Sequence, residues 1–141
     1  ARSAATADPT VVAKRNLIEV YAWRGPKGIG EEYARLHKLD PKTPENMGLH
    51  PFVFLRQSAE FDVRSPLLPQ HGAYLQKLKA DGKLAAFGRI ENAPGVAGIL
   101  VFQRIPFEEA ERLVKEDPAV KAGRFTPEFH RWYSAAHVLP R

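Results

Sequence analysis

The chain has no cysteine, which excludes disulfides, thiolate zinc sites and a cysteine nucleophile together and leaves the redox compartment open. No apolar run approaches the ~18 residues needed to cross a bilayer, so no membrane span is expected. Asn-x-Ser/Thr acceptors, internal repeats and low-complexity segments beyond the first ten residues are also missing. The formal net charge is +5, yet the basic residues are scattered singly and never form the dense stripe of a nucleic-acid binder, so no nucleic-acid partner is expected. Five histidines are present without helical i, i+4 ligand spacing; the nearest pair, His130 and His137, is seven apart, and no metal site is read from them. The stretch "RGPKGIG" at Arg24 to Gly30 fits neither a Walker A loop nor a dinucleotide fingerprint, so it is read as a plain loop and no cofactor is expected.

What remains is an ordinary composition, 44% apolar over 141 residues, enough for one compact core. The opening "ARSAATADPT" reads equally as the segment behind a removed export signal or as a frayed tail, so the compartment stays open between periplasm and cytoplasm. Proline and glycine punctuation is dense before residue 50 and clean strand and helix signals follow it. Residues 1–49 are therefore read as a partly ordered extension, with "NLIEVYAW" strand-like and "IGEEYARLHKL" helical, and residues 50–141 as the domain.

Within the domain, "PFVFLRQS" is strand-like and "SPLLPQHGAYLQKLKADGK" helical, starting between Ser65 and Pro69 and stopping at Gly82. "LAAFGRI" and "GVAGILVFQ" are two strands joined by a turn at Pro94 and Gly95. "PFEEAERLVKED" is a second helix, with Pro106 in a first-turn position, Glu108 and Glu109 at the favourable end of the dipole, and Pro118 as its stop. "RFTPEFHRWYS" supplies a last strand. The order β-α-β-β-α-β is that of a ferredoxin-like α+β fold.

Two polar residues sit on apolar stripes. In the first helix of the domain the stripe is Leu67, Leu68, Tyr74, Leu75 and Leu78, and His71 lies on it. In the second it is Phe107, Ala110, Leu113 and Val114, and Asp117 continues it. In this topology the two helices run antiparallel, so the start of one and the end of the other share one end of the domain. A carboxylate at a helix C-terminus faces the negative end of the dipole, and burial adds to the cost unless a partner offsets it. An imidazole is such a partner, and the two together suit proton transfer. Taken singly, the structural uses are simpler: a boundary histidine, and an aspartate that stops a helix or caps a turn.

At these residues the sequence resembles the YCII-related family, through "HGAYLQKLKADGKLAAFG" and "IPFEEAERLVKEDPAVKAGRF", over about His50 to Trp132. The resemblance implies a dimeric α+β barrel assembled as a homodimer through its sheets, with His71 and Asp117 as the catalytic pair. A known activity of the family is dehydrochlorination of a chlorinated hydroxyhydroquinone. The shared-end placement of the two polar residues points to a small enzyme without metal or cofactor that performs proton transfer, an elimination or isomerisation as in a lyase or isomerase, on a small and in one reading aromatic organic substrate. Family members often carry an arginine a few residues before the histidine where this chain has "LLPQ", and Gly-Pro where it has Gly88-Arg89. Arg64 and Arg89 are then the candidates for the positive charge that holds substrate. Tyr74, Trp132 and Tyr133 are candidate pocket aromatics, the last two in a barrel shared with a partner, although such aromatics also serve as core or interface. A non-catalytic domain that binds a small ligand or assists a partner is the alternative reading.

Overall fold

The computed structural model describes residues 2–58 and 66–140. The elements run α1 (Arg2–Thr6), α2 (Pro9–Val12), β1 (Ala22–Arg24), α3 (Glu31–Leu39), β2 (Gly48–Gln57), α4 (Leu67–Ala80), β3 (Leu84–Glu91), β4 (Val96–Phe102), α5 (Phe107–Glu116), α6 (Pro118–Lys121) and β5 (Phe125–Ser134). The sheet is antiparallel in the order β1-β3-β4-β2-β5. Its last four strands, with α4 and α5 between them, make the ferredoxin-like α+β fold expected from the sequence.

Alternation along the strands divides the sheet into two faces. Val53 and Leu55 of β2, Leu84 of β3, Leu100 and Phe102 of β4 and Phe125 of β5 pack under the helices. They meet Leu75 and Leu78 of α4, Ala110, Leu113 and Val114 of α5, and Ala119 of α6. The intervening residues, among them Phe52, Phe54, His130 and Trp132, lie on the face without helices. There the Phe52 and Phe54 ring centroids are 5.0 Å apart, Phe52 and Trp132 6.2 Å, and Phe54 and His130 5.5 Å. Arg56 Nε donates to Glu128 Oε2 at 2.7 Å on the same face.

Helix ends follow their local chemistry. Gly82, with φ 71°, ends the turn after α4, and Gly95, with φ 70°, closes the β3–β4 hairpin. Pro106 is the N-cap of α5, one residue earlier than a first-turn proline, and Glu108 and Glu109 occupy the first turn. Pro118 departs from expectation: it does not simply stop the helix but opens α6 at its first position, with Asp117 as the cap of both helices. Residues 2–12 hold two short helices, the second started by "DPT", where Asp8 caps the Thr10 N–H and Pro9 fits the first helical position.

The strand signal in "NLIEVYAW" yields only β1, which pairs with the edge of β3 in the register Trp23 to Ile90. Arg24 and Glu91 form an ion pair across this junction. Gly88 makes the pairing possible: a Cβ there would stand 2.0 Å from the Arg24 carbonyl oxygen and 2.9 Å from Gly25 Cα. Farther along, the Gly30 N–H donates to the Val138 carbonyl at 2.8 Å and the Ala136 N–H to the Glu45 carbonyl at 2.7 Å, tying α3 and its following loop to the C-terminal segment.

Gly88→Ala is expected to push β1 off the sheet, at a cost of about 1–3 kcal/mol. Chemical denaturation would measure the loss, and Trp23 emission would shift to the red. Unchanged stability and emission would mean the close approach is not made in solution.

Candidate active site

The site rests on one helix turn and one helix junction. His71 stands in the second turn of α4, on the same stripe as the buried Leu75 and Leu78, and α4 packs on α6. Asp117 stands between α5 and α6, where the backbone leaves the helix at φ −60°, ψ 128° and re-enters it at Pro118. His71 Nδ1 and Asp117 Oδ2 are 2.6 Å apart, a short, charge-assisted distance for an imidazole N–H donating to a carboxylate. The other carboxylate oxygen, Oδ1, accepts the Ala119 N–H at 2.8 Å. Both oxygens are thus engaged in a side chain only 1% exposed, which is how a buried acid avoids the full cost of desolvation.

His71 is 15% exposed and forms part of the wall of a cleft of about 340 Å³, while Asp117 lies behind it. The carboxylate is therefore buried under the imidazole and not at the cleft edge, where a simple helix stop would have left it. The Phe125 ring meets the imidazole edge to face, with centroids 5.1 Å apart at 61°. This contact and the Asp117 bond fix the plane of the imidazole from two sides. With Nδ1–H given to the carboxylate, Nε2 is the nitrogen left with a free lone pair.

The cleft lies between α4 and the sheet. Leu68, Gly72 and Leu75 line it from the helix, Phe87, Gly88 and Arg89 from β3, Ala97 to Leu100 from β4, and Leu55 and Gln57 from β2. Arg89 is thus brought to the same cavity as His71. Arg64 lies outside the described residues.

The three other residues expected to bind substrate are elsewhere. Tyr74 donates its hydroxyl to the Leu113 carbonyl at 2.8 Å and so ties α4 to α5. Burial, helped by the nearby Asp117 charge, pushes its phenol above the usual range and keeps it protonated for that bond. Trp132 belongs to the helix-free face, and Tyr133, paired with Leu49, is 64% exposed near the far end of β5. Neither lines the cleft with His71, because β5 enters the cleft at Phe125 and its later residues run away from it. Phe87, Phe125 and Gln57 are cleft residues that the sequence reading does not single out, although Phe87 and Phe125 lie within the two motifs and Phe125 is the first apolar residue of the last strand, beside the end of α6.

Asp117→Ala removes a helix cap and a buried hydrogen-bond partner together. It is expected to cost about 2–4 kcal/mol, from about 1 for the cap and the rest for the charged hydrogen bond. Asp117→Asn keeps cap geometry and should cost less than half as much, so equal losses for the two in urea unfolding would contradict the two-sided role.

A search of curated proteins found no match. A model of the YCII-related domain matches residues 33–127, from within α3 to the start of β5. It begins earlier than the resemblance read from His50 onward, inside the segment set apart as an extension, and it covers His71, the cleft and Asp117. With that span of sequence matched on a ferredoxin-like sheet, the chain belongs to the family of YCII-related domains.

Proposed function

We propose that the protein is a small enzyme that moves a proton on a small organic, aromatic or ring-sized substrate without a bound cofactor, in an elimination or an isomerisation. The observation that carries this reading is the 2.6 Å contact between His71 Nδ1 and a carboxylate that is itself 1% exposed and sits behind the imidazole. A buried carboxylate in that position does two things for a base. It holds the tautomer with Nε2 unprotonated toward substrate, and it stabilises the imidazolium formed when Nε2 accepts a proton.

The cleft supplies the rest of the chemistry. Its volume of about 340 Å³ lies near the lower end of small-ligand sites and suits a single-ring molecule. Phe87, Phe125 and Leu68 give it apolar walls, and Arg89 offers a guanidinium for a carboxylate or phenolate. In an elimination, His71 Nε2 takes the proton from the carbon next to the one bearing the leaving group. The C–H electron pair becomes the new double bond, and the leaving group, a halide for example, departs with the electrons of its own bond. In an isomerisation the same nitrogen returns the proton to a different carbon.

With an identified substrate, His71→Gln and Asp117→Asn should each lower kcat by at least about a hundredfold, in keeping with the contribution of a positioned base. Their losses should not add in the double variant, because the two groups act as one unit. Full turnover by folded single variants would sink the mechanism. Ligand binding with no turnover by the unaltered protein would instead favour a non-catalytic binding domain.

We further propose that a second copy of the chain covers the helix-free sheet face. Phe52, Phe54 and Trp132 form an apolar centre there, with the Arg56–Glu128–His130 network beside it, the arrangement of a protein interface. Phe54→Glu should convert a dimer to a monomer in light scattering. A monomeric unaltered protein would refute the assembly.

A further inference from the structure

A second cavity lies at the end of the sheet opposite His71. The His71 cleft collects the end of β2 at Gln57 and the starts of β4 and β5 at Ala97 and Phe125. The second collects the start of β2 at His50, the residues after β4 at Gln103 and Arg104, and the end of β5 at Ser134, closed by the C-terminal segment with His137. Its volume is about 640 Å³.

Its chemistry is that of an anion site. Arg104 lines it and has neither an ion pair nor a side-chain hydrogen bond among the described residues. The acid in the wall, Glu32, accepts from Arg35 at both carboxylate oxygens, at 2.7 and 2.8 Å, and forms no ion pair with Arg104. Two imidazoles, His50 and His137, complete the basic lining.

Ser134 provides an independent indication. It is 6% exposed, and its hydroxyl has no hydrogen-bond partner among the described residues, although buried hydroxyls almost always find one. Ser134 is paired across the sheet with Gly48, and His50 Nε2 lies 3.3 Å from the point where a Gly48 Cβ would be. The missing side chain thus leaves room for the imidazole beside an unsatisfied hydroxyl. Arg104 and His137 are also held at positive φ, 58° and 69°, a conformation that non-glycine residues adopt sparingly and that recurs at binding sites.

We infer that this cavity binds a small oxyanion, a carboxylate or a phosphate group, with Arg104 as the charged anchor and the Ser134 hydroxyl and the two imidazoles as hydrogen-bond donors. The guanidinium presents a planar fork to two oxygens of the anion, and the Ser134 hydroxyl donates to the same group. This site is separate from the His71 cleft and does not depend on the reaction proposed there.

The test is calorimetric titration of the full chain with inorganic phosphate and, separately, with succinate, the two arms distinguishing phosphate from carboxylate recognition. At least one should bind saturably. Arg104→Gln, an exposed substitution, should weaken that binding about ten- to hundredfold, and Ser134→Ala about threefold or more. Circular dichroism and the unfolding midpoint would establish that both variants fold. His71→Gln should leave the affinity unchanged. The inference is overturned if neither anion binds, if Arg104→Gln binds as well as the unaltered chain, or if His71→Gln abolishes binding.

Discussion

A single buried carboxylate organises one end of this protein. Asp117 is where α5 ends, where α6 begins, and where α4 is tied to both. Each of its oxygens has a different task, Oδ1 on the Ala119 N–H and Oδ2 on the His71 imidazole. An acid excluded from water cannot be half satisfied, since the desolvation cost of a charge exceeds what one hydrogen bond returns. The backbone break before Pro118 is what meets this demand. An uninterrupted helix would leave no free N–H for Oδ1, because each would already be bonded to a carbonyl of the preceding turn. The kink therefore creates the hydrogen-bond site that allows the carboxylate to be buried beneath the histidine.

The same arrangement separates structural from chemical roles by depth. Asp117 is inaccessible, His71 is reached from the cleft, and the Phe125 ring at the start of β5 packs against the imidazole. A histidine on a helix surface samples several rotamers. Here the ring is restrained by a hydrogen bond at one nitrogen and an aromatic contact at its face, so the other nitrogen keeps one direction. Preorganisation of this kind lowers the entropy lost when a ligand is bound.

Much of this was legible in the sequence, for reasons that can be named. The periods of α4 and α5 put His71 and Asp117 on buried stripes, and the antiparallel relation of the two helices brought them to one end. Helix and strand order were readable because proline, glycine and acidic first turns punctuate the domain cleanly. What periodicity cannot carry is pairing between distant segments. That β1 joins β3 depends on the bare backbone of Gly88, whose role is invisible until Arg24 and Gly25 lie against it. Tyr74 read as a pocket aromatic because a phenol on a helix stripe looks the same whether its hydroxyl faces a ligand or, as here, the Leu113 carbonyl. The aromatics of β5 alternate imperfectly, with Trp132 and Tyr133 adjacent and so on opposite faces, and alternation gives a face but not the distance from the cleft. Pro118 reads as a stop, since the sequence signals for ending one helix and for starting the next are the same Asp-Pro dipeptide.

The sheet has two edges, and they are protected in different ways. On one side β1 is only three residues long. On the other, β5 is ten residues long, a length that would invite strand addition, yet it carries Pro127 and charged residues at Glu128 and Arg131. Proline offers no N–H to an incoming strand, and the charges would have to be brought against a second backbone. This protein therefore gives an unfolded or extended chain little to grow upon. Its strands are exposed in a form that resists continuation into fibrils, even though half of the sheet carries no helix.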